Sequence, residues 1–125
     1  MRYRHLLVAF DGSPESELAL THAVAFAHVN RARLSLVGVA PPLLVRAGHD
    51  GLEPRLQAAA DAVPDDLHPS ARMLAGDPVR EILRAAADFD LVFMGAGRFA
   101  EQVAADAPVP VIVVHCPAGG PDLAA

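Results

Sequence analysis

The chain has 125 residues, of which 53% are hydrophobic and 20% charged, and carries a net charge of -5. This is the length of one domain with a single core, and the composition is that of a buried sheet rather than of a disordered segment. Negative charge disfavours nucleic acid as a partner, and because all 10 basic residues are Arg, chemistry that needs a P-loop lysine, a Schiff base or a Ser–Lys pair is excluded.

Residues 6–10 form an uninterrupted apolar strand, as expected where both faces of a sheet are covered. The strand runs into Asp11-Gly12-Ser13-Pro14. Ser13 reads as a helix N-cap, Pro14 as the first helical residue, and Glu15 and Glu17 as first-turn acids favoured by the helix dipole. This helix continues to about residue 29, with Leu20, Ala23, Val24 and Ala27 on one face. Residues 34–39 are a second strand ended by Pro41-Pro42, and residues 41–50 read as a loop. Leu52, Leu56, Ala59, Ala60 and Val63 recur at helical spacing and predict a second helix closed by Pro64.

A third strand lies near residues 71–75. Asp77-Pro78 then opens another capped helix, with Val79, Ile82, Leu83, Ala86 and Ala87 as its buried stripe. Residues 90–94 are a fourth strand, 99–105 a short helix, 109–114 a final strand and 119–125 a loose tail. Strands alternating with helices define an α/β fold: one doubly wound domain over residues 1–118, a five-stranded parallel sheet in order 3-2-1-4-5 with helices on both faces. Strands one and four are then neighbours, so Asp11 and Gly95 face each other at the switch point where such sheets bind ligands.

Asp11 has two readings. It is a ligand-facing acid for a base, a ribose or a water-bound metal, or its carboxylate caps the turn made with Gly12 and Ser13. Gly95-Ala96-Gly97-Arg98-Phe99-Ala100 follows a strand, opens a helix and fits the loose dinucleotide pattern. The alternative is a tight strand-to-helix turn that needs glycine for its dihedral angles. Arg98 opposes the dipole of the short helix, which points to an anion or to plain solvation. Gly76, before Asp77-Pro78, makes an exit loop where a ligand can approach, although turn chemistry also selects it.

The six His residues show no metal-ligand spacing, and Ser13 and Ser16 lie in no nucleophile elbow, so neither a metal centre nor a hydrolase triad is expected. Cys116 is the one thiol, no apolar run reaches the roughly 18 residues of a membrane span, and residues 6–10 stop too soon for a signal peptide. A cytoplasmic protein without a membrane partner is the expectation. The short apolar final strand at a sheet edge calls for cover, which pairing across a two-fold axis supplies.

Four segments in order carry a resemblance. Leu7-Val8-Ala9-Phe10-Asp11-Gly12-Ser13-Pro14, Gly76-Asp77-Pro78, Asp90-Leu91-Val92-Phe93-Met94-Gly95 and Ala107-Pro108-Val109-Pro110-Val111-Ile112-Val113-Val114 closely resemble the universal stress protein family. The resemblance implies a stress-response protein of adenine nucleotide alpha hydrolase-like fold, a homodimer paired through residues 109–114 and, in one branch, an adenine-nucleotide cofactor. It also implies site roles: Asp11 beside the nucleotide, Val39 meeting adenine through its backbone, and Gly95 as the first glycine of a phosphate loop. In that branch the loop motif is glycine, two residues, glycine, nine residues, then glycine with Ser or Thr. Here Gly97 takes the place of the last glycine and Arg98 that of the hydroxyl residue, so roughly eleven residues of loop are missing.

Most amides that surround a triphosphate are then absent. The first expectation is a protein that acts by binding rather than catalysis, with ATP binding reduced or lost. The second is a sensor in which Asp11, Gly95, Gly97 and Arg98 hold a smaller ligand such as AMP, a cyclic nucleotide or an anion. An enzyme is the outside reading.

Overall fold

The computed structural model describes residues 3–41 and 51–117. Residues 42–50 of the expected loop over 41–50, and the tail over residues 119–125, lie outside the described residues. Five strands, β1 His5–Ala9, β2 Arg33–Ala40, β3 Ser70–Ala75, β4 Leu91–Gly95 and β5 Val111–Val114, form one sheet in the order β3-β2-β1-β4-β5. Every neighbouring pair is parallel, with Val8 opposite both Leu36 and Phe93 in the central three strands. The helices are α1 Pro14–Asn30, α2 Leu52–Asp61, α3 Pro78–Ala86 and α4 Ala100–Asp106.

Alternation along β1 explains the two layers. Leu6, Val8 and Phe10 pack with Ala19, Ala23 and Ala27 of α1 and Leu56 of α2, whereas Leu7 and Ala9 belong to the clusters on the other face. There Val79, Ile82 and Ala86 of α3 and Val103 of α4 cover them. Leu6, Leu7 and Val8 are wholly buried, each contributing about 2 kcal/mol of apolar transfer energy. Three alanines four residues apart give α1 a flat face, which lets it lie close against the sheet.

Both predicted helix caps are present. Ser16 N–H donates to Ser13 Oγ at 3.1 Å and Arg80 N–H to an Asp77 carboxylate oxygen at 3.0 Å, with proline opening each helix. A one-turn helix over Asp65–Leu67, after Pro64, escapes the periodicity because three residues are too few to show it. The short helix α4 starts at Ala100, one residue later than the sequence pattern indicates.

Asp90 also differs from expectation. It does not pair within β4 but precedes it, where its carboxylate accepts the N–H groups of Arg4 at 2.8 Å and His5 at 3.0 Å. Those two bonds hold its carboxyl below the ordinary carboxylate range and tie the start of β1 to that of β4. Because the folded value is the lower one, this stabilisation is complete above the unfolded carboxyl's range and disappears as pH falls through the folded value. Asp90→Ala is expected to cost about 1 kcal/mol in urea unfolding at neutral pH. The gap to wild type should close in acid, at pH below the ordinary range of an aspartate; a gap that persists there would contradict this role.

Candidate functional site

At the carboxyl ends of β1, β2 and β4 a cavity of about 110 Å³ opens at the switch point. Ala9, Phe10 and Asp11 wall it from β1 and its exit, Val37 and Val39 from β2, and Met94 and Gly95 from β4. Pro78, Ile82, Phe99 and Ser16 complete the lining. The hollow is thus mainly apolar with one carboxylate at its mouth, a surface suited to a flat heterocycle with a hydroxylated appendage.

The acid is held by its own turn. Asp11 Oδ1 accepts Ser13 N–H at 2.9 Å, and the Asp11 N–H donates to Ser16 Oγ at 3.3 Å. Ser16 Oγ in turn donates to the Ser13 carbonyl at 3.1 Å, which ties this buried hydroxyl to the turn. Burial raises the Asp11 carboxyl's affinity for protons, but hydrogen bonds from Ser13, Ser16 and its own backbone outweigh burial, and the group titrates below its usual value. It is therefore an anion at neutral pH, able to accept hydrogen bonds and not to donate a proton. In this geometry the carboxylate caps the turn and borders the hollow.

Of the sequence candidates, Asp11, Val39 and Gly95 meet at the cavity, while Gly76, Gly97 and Arg98 lie outside its lining. Gly76 takes φ +145° and donates its N–H to the Ala40 carbonyl at 3.0 Å, so backbone conformation accounts for it. The expected dihedral reason for the second glycine pair fails. Neither Gly95 nor Gly97 has positive φ. Gly95 is required by crowding instead: a Cβ there would stand 2.6 Å from the carbonyl carbon of Glu15 and the nitrogen of Ser16. A Cβ on Gly97 would meet nothing within 4 Å. Arg98 lies over the Phe99 ring, 5.5 Å from its centroid, a contact that engages the cation without an anion.

The connection from β4 to α4 comprises Ala96, Gly97, Arg98 and Phe99 alone. Sequence reasoning missed Ser16, Phe99 and the α3 residues Pro78 and Ile82 as wall residues. The capped start of α3, Asp77-Pro78, was the available signal, since a helix that begins at the sheet's carboxyl edge brings its first turn to the crevice. No cluster of three or more His, Cys, Asp or Glu able to hold a metal occurs among the described residues. None of the described helices is long and apolar enough to cross a membrane.

The sequence profile of the universal stress protein family matches residues 2–115. The chain belongs to that family. Among solved structures it is similar to a universal stress protein family member from Burkholderia pseudomallei, with 28% identity, 90% of this chain and 96% of that chain covered, and TM-score 0.77. A universal stress protein from Archaeoglobus fulgidus in complex with dAMP shares 22% identity over 91% of this chain and 99% of its own, with TM-score 0.76. Another, in complex with cAMP, shares 22% identity over 92% and 99%, with TM-score 0.77. No protein of curated function matches the chain.

The two glycines of β4's exit separate by experiment. Gly95→Ala should cost about 2 kcal/mol because backbone, which cannot swing away, occupies the Cβ position. Gly97→Ala should stay within about 0.5 kcal/mol of wild type. Equal melting temperatures for the two variants would contradict the crowding at Gly95.

Proposed function

We propose that this universal stress protein acts by binding rather than catalysis, and that the triphosphate of ATP finds too few amides beside its crevice to hold it. The observation that carries this is the four-residue passage from β4 to α4. A phosphate cradle needs several successive N–H groups converging on one anion. Ala96 N–H is already spent on the Val114 carbonyl at 2.8 Å, and the Ala100 N–H on the Gly97 carbonyl at 3.2 Å. What remains is too short to wrap three phosphoryl groups.

A second reading uses the same hollow for AMP or a cyclic nucleotide. Supporting it are the apolar walls, the ionised Asp11 placed as a hydroxyl acceptor, and the dAMP and cAMP held by two proteins of the same fold. Catalysis is not expected under either, because the chain offers no lysine and no metal cluster among its described residues. With one cysteine and no described span, a cytoplasmic place fits both.

The same reading includes a homodimer closed through β5. This edge strand is four residues long, and Ile112, 38% exposed, lies with Val29, 83% exposed, on one apolar hollow between α1 and β5. Pairing of a second copy would cover both the edge and the hollow.

Calorimetric titration with ATP, ADP and AMP, with and without magnesium, tests the proposal. ATP should bind more weakly than about 1 mM, which is less than about 4 kcal/mol. Submillimolar ATP binding would overturn the first reading. AMP binding that falls about tenfold in Asp11→Ala, with the fold intact, would establish the second, and steady phosphate release lost in that variant would make the protein an enzyme. Light scattering on the same micromolar samples should return the dimer mass; a monomer mass would remove the β5 pairing.

A further inference from the structure

We infer that the amino-terminal rim of the sheet, at the end opposite the crevice, is a docking surface for an acidic protein segment. Two open hollows adjoin there, of about 670 and 460 Å³. Arg31 and Arg33 line both of them. Arg4 and His5 add to the first hollow, and His28 and His68 to the second. Their positions follow from topology: the last turn of α1, the starts of β1 and β2 and the short helical turn before β3 all end on this rim. Register sets His5 beside Arg33, whose N–H donates to the Arg4 carbonyl at 2.7 Å. Three guanidinium groups and three imidazoles therefore gather on one edge of a chain whose net charge is -5.

Two carboxylates stand near these groups, and neither forms an ion pair with a rim arginine. Asp66 borders the second hollow, and the Asp90 carboxylate near the first is bound to the N–H groups of Arg4 and His5. Arg84 with Glu81 is the one ion pair among the described residues, so none of the three rim arginines has a carboxylate partner there. The dipole of α1 rewards a cation at its carboxyl end, which accounts for His28 in the last turn. It does not account for Arg4, just before β1, or Arg33, at the start of β2. Arg31 and His68 depart furthest from what folding asks, because each closes a helical segment in the left-handed conformation in which glycine is usual, Arg31 at φ 54°, ψ 47° and His68 at φ 50°, ψ 56°.

The kind of partner follows from exposure. A single small anion facing exposed cations in water is held weakly, since each such pair is screened. A run of carboxylates laid across both hollows meets several cations at once, and charge complementarity of this kind selects a partner and speeds its arrival. A long nucleic acid would also meet the rest of a chain in which 15 acidic residues outnumber 10 arginines, and would be repelled by it. A short acidic stretch of protein touches the rim alone.

Fluorescence anisotropy with a labelled hexaglutamate peptide tests the surface on wild type, Arg31→Gly and the double variant Arg4→Gln, Arg33→Gln. Wild type should bind in about 20 mM salt and lose roughly tenfold in affinity at about 200 mM. Arg31→Gly should melt about 4 °C higher, because glycine relieves the left-handed backbone, yet bind roughly fivefold more weakly. The double variant should bind still less. No binding by wild type at low salt, or equal binding by all three proteins, overturns the proposal. An oligothymidine of equal charge binding more tightly than the peptide also overturns it and gives the rim to nucleic acid.

Discussion

At the carboxyl end of β4 the backbone of Glu15 and Ser16 stands 2.6 Å from the position a Gly95 Cβ would take. That close seating fixes where α1 begins, and much of the upper half of the molecule depends on it. With the first turn of α1 against β4, Ser13 caps the helix, Ser16 is buried beneath the turn and the Asp11 carboxylate is drawn onto the Ser13 N–H. The same seating lets Ala19, Ala23 and Ala27 lie flat on the central strands, so the alanine face of α1 and the missing side chain of Gly95 serve one packing requirement.

Seating also limits the site. The crevice between β1 and β4 is floored by Ala9, Phe10 and Met94 and closed on one side by Ser16, which leaves a hollow of about 110 Å³. Its chemistry is set by a balance: burial raises the Asp11 carboxyl's pKa, but the hydrogen bonds of its own turn outweigh burial and hold the group below its usual value. The floor is apolar, Asp11 is its one carboxylate, and the Arg55 guanidinium donates to the carbonyl of Gly12, the next residue in the chain. After β4 only Ala96 to Phe99 stand before α4 begins.

The elements and their order were legible because they rest on local physics. Ser13-Pro14 and Asp77-Pro78 announce helix starts by their own hydrogen-bonding chemistry, the apolar run at β1 announces a strand covered on both faces, and right-handed crossovers leave few strand orders to consider. The reasons for particular glycines were not legible. Gly95 and Gly97 look like a matched pair in sequence, yet one is crowded by the backbone of Glu15 and the other faces open space, a distinction made by a helix eighty residues earlier in the chain. Asp90 reads as the first strand residue, and its work for the N–H groups of Arg4 and His5 exists only once β1 lies beside β4. Of the candidate ligand residues, Asp11, Val39 and Gly95 converge because they sit at strand exits; Gly76, Gly97 and Arg98 were chosen from turn motifs, which fix local backbone and not distance from the cavity.

The most direct measurement of the proposed loss of a phosphate cradle is phosphorus NMR of magnesium ATP in the presence of excess protein. If too little chain follows β4 to enclose the phosphates, the α, β and γ lines keep the positions and widths of free ATP. A γ-phosphorus line that shifts and broadens as protein is added, and returns when ATP is displaced by AMP, would show the terminal phosphate held by the protein and would contradict the central claim.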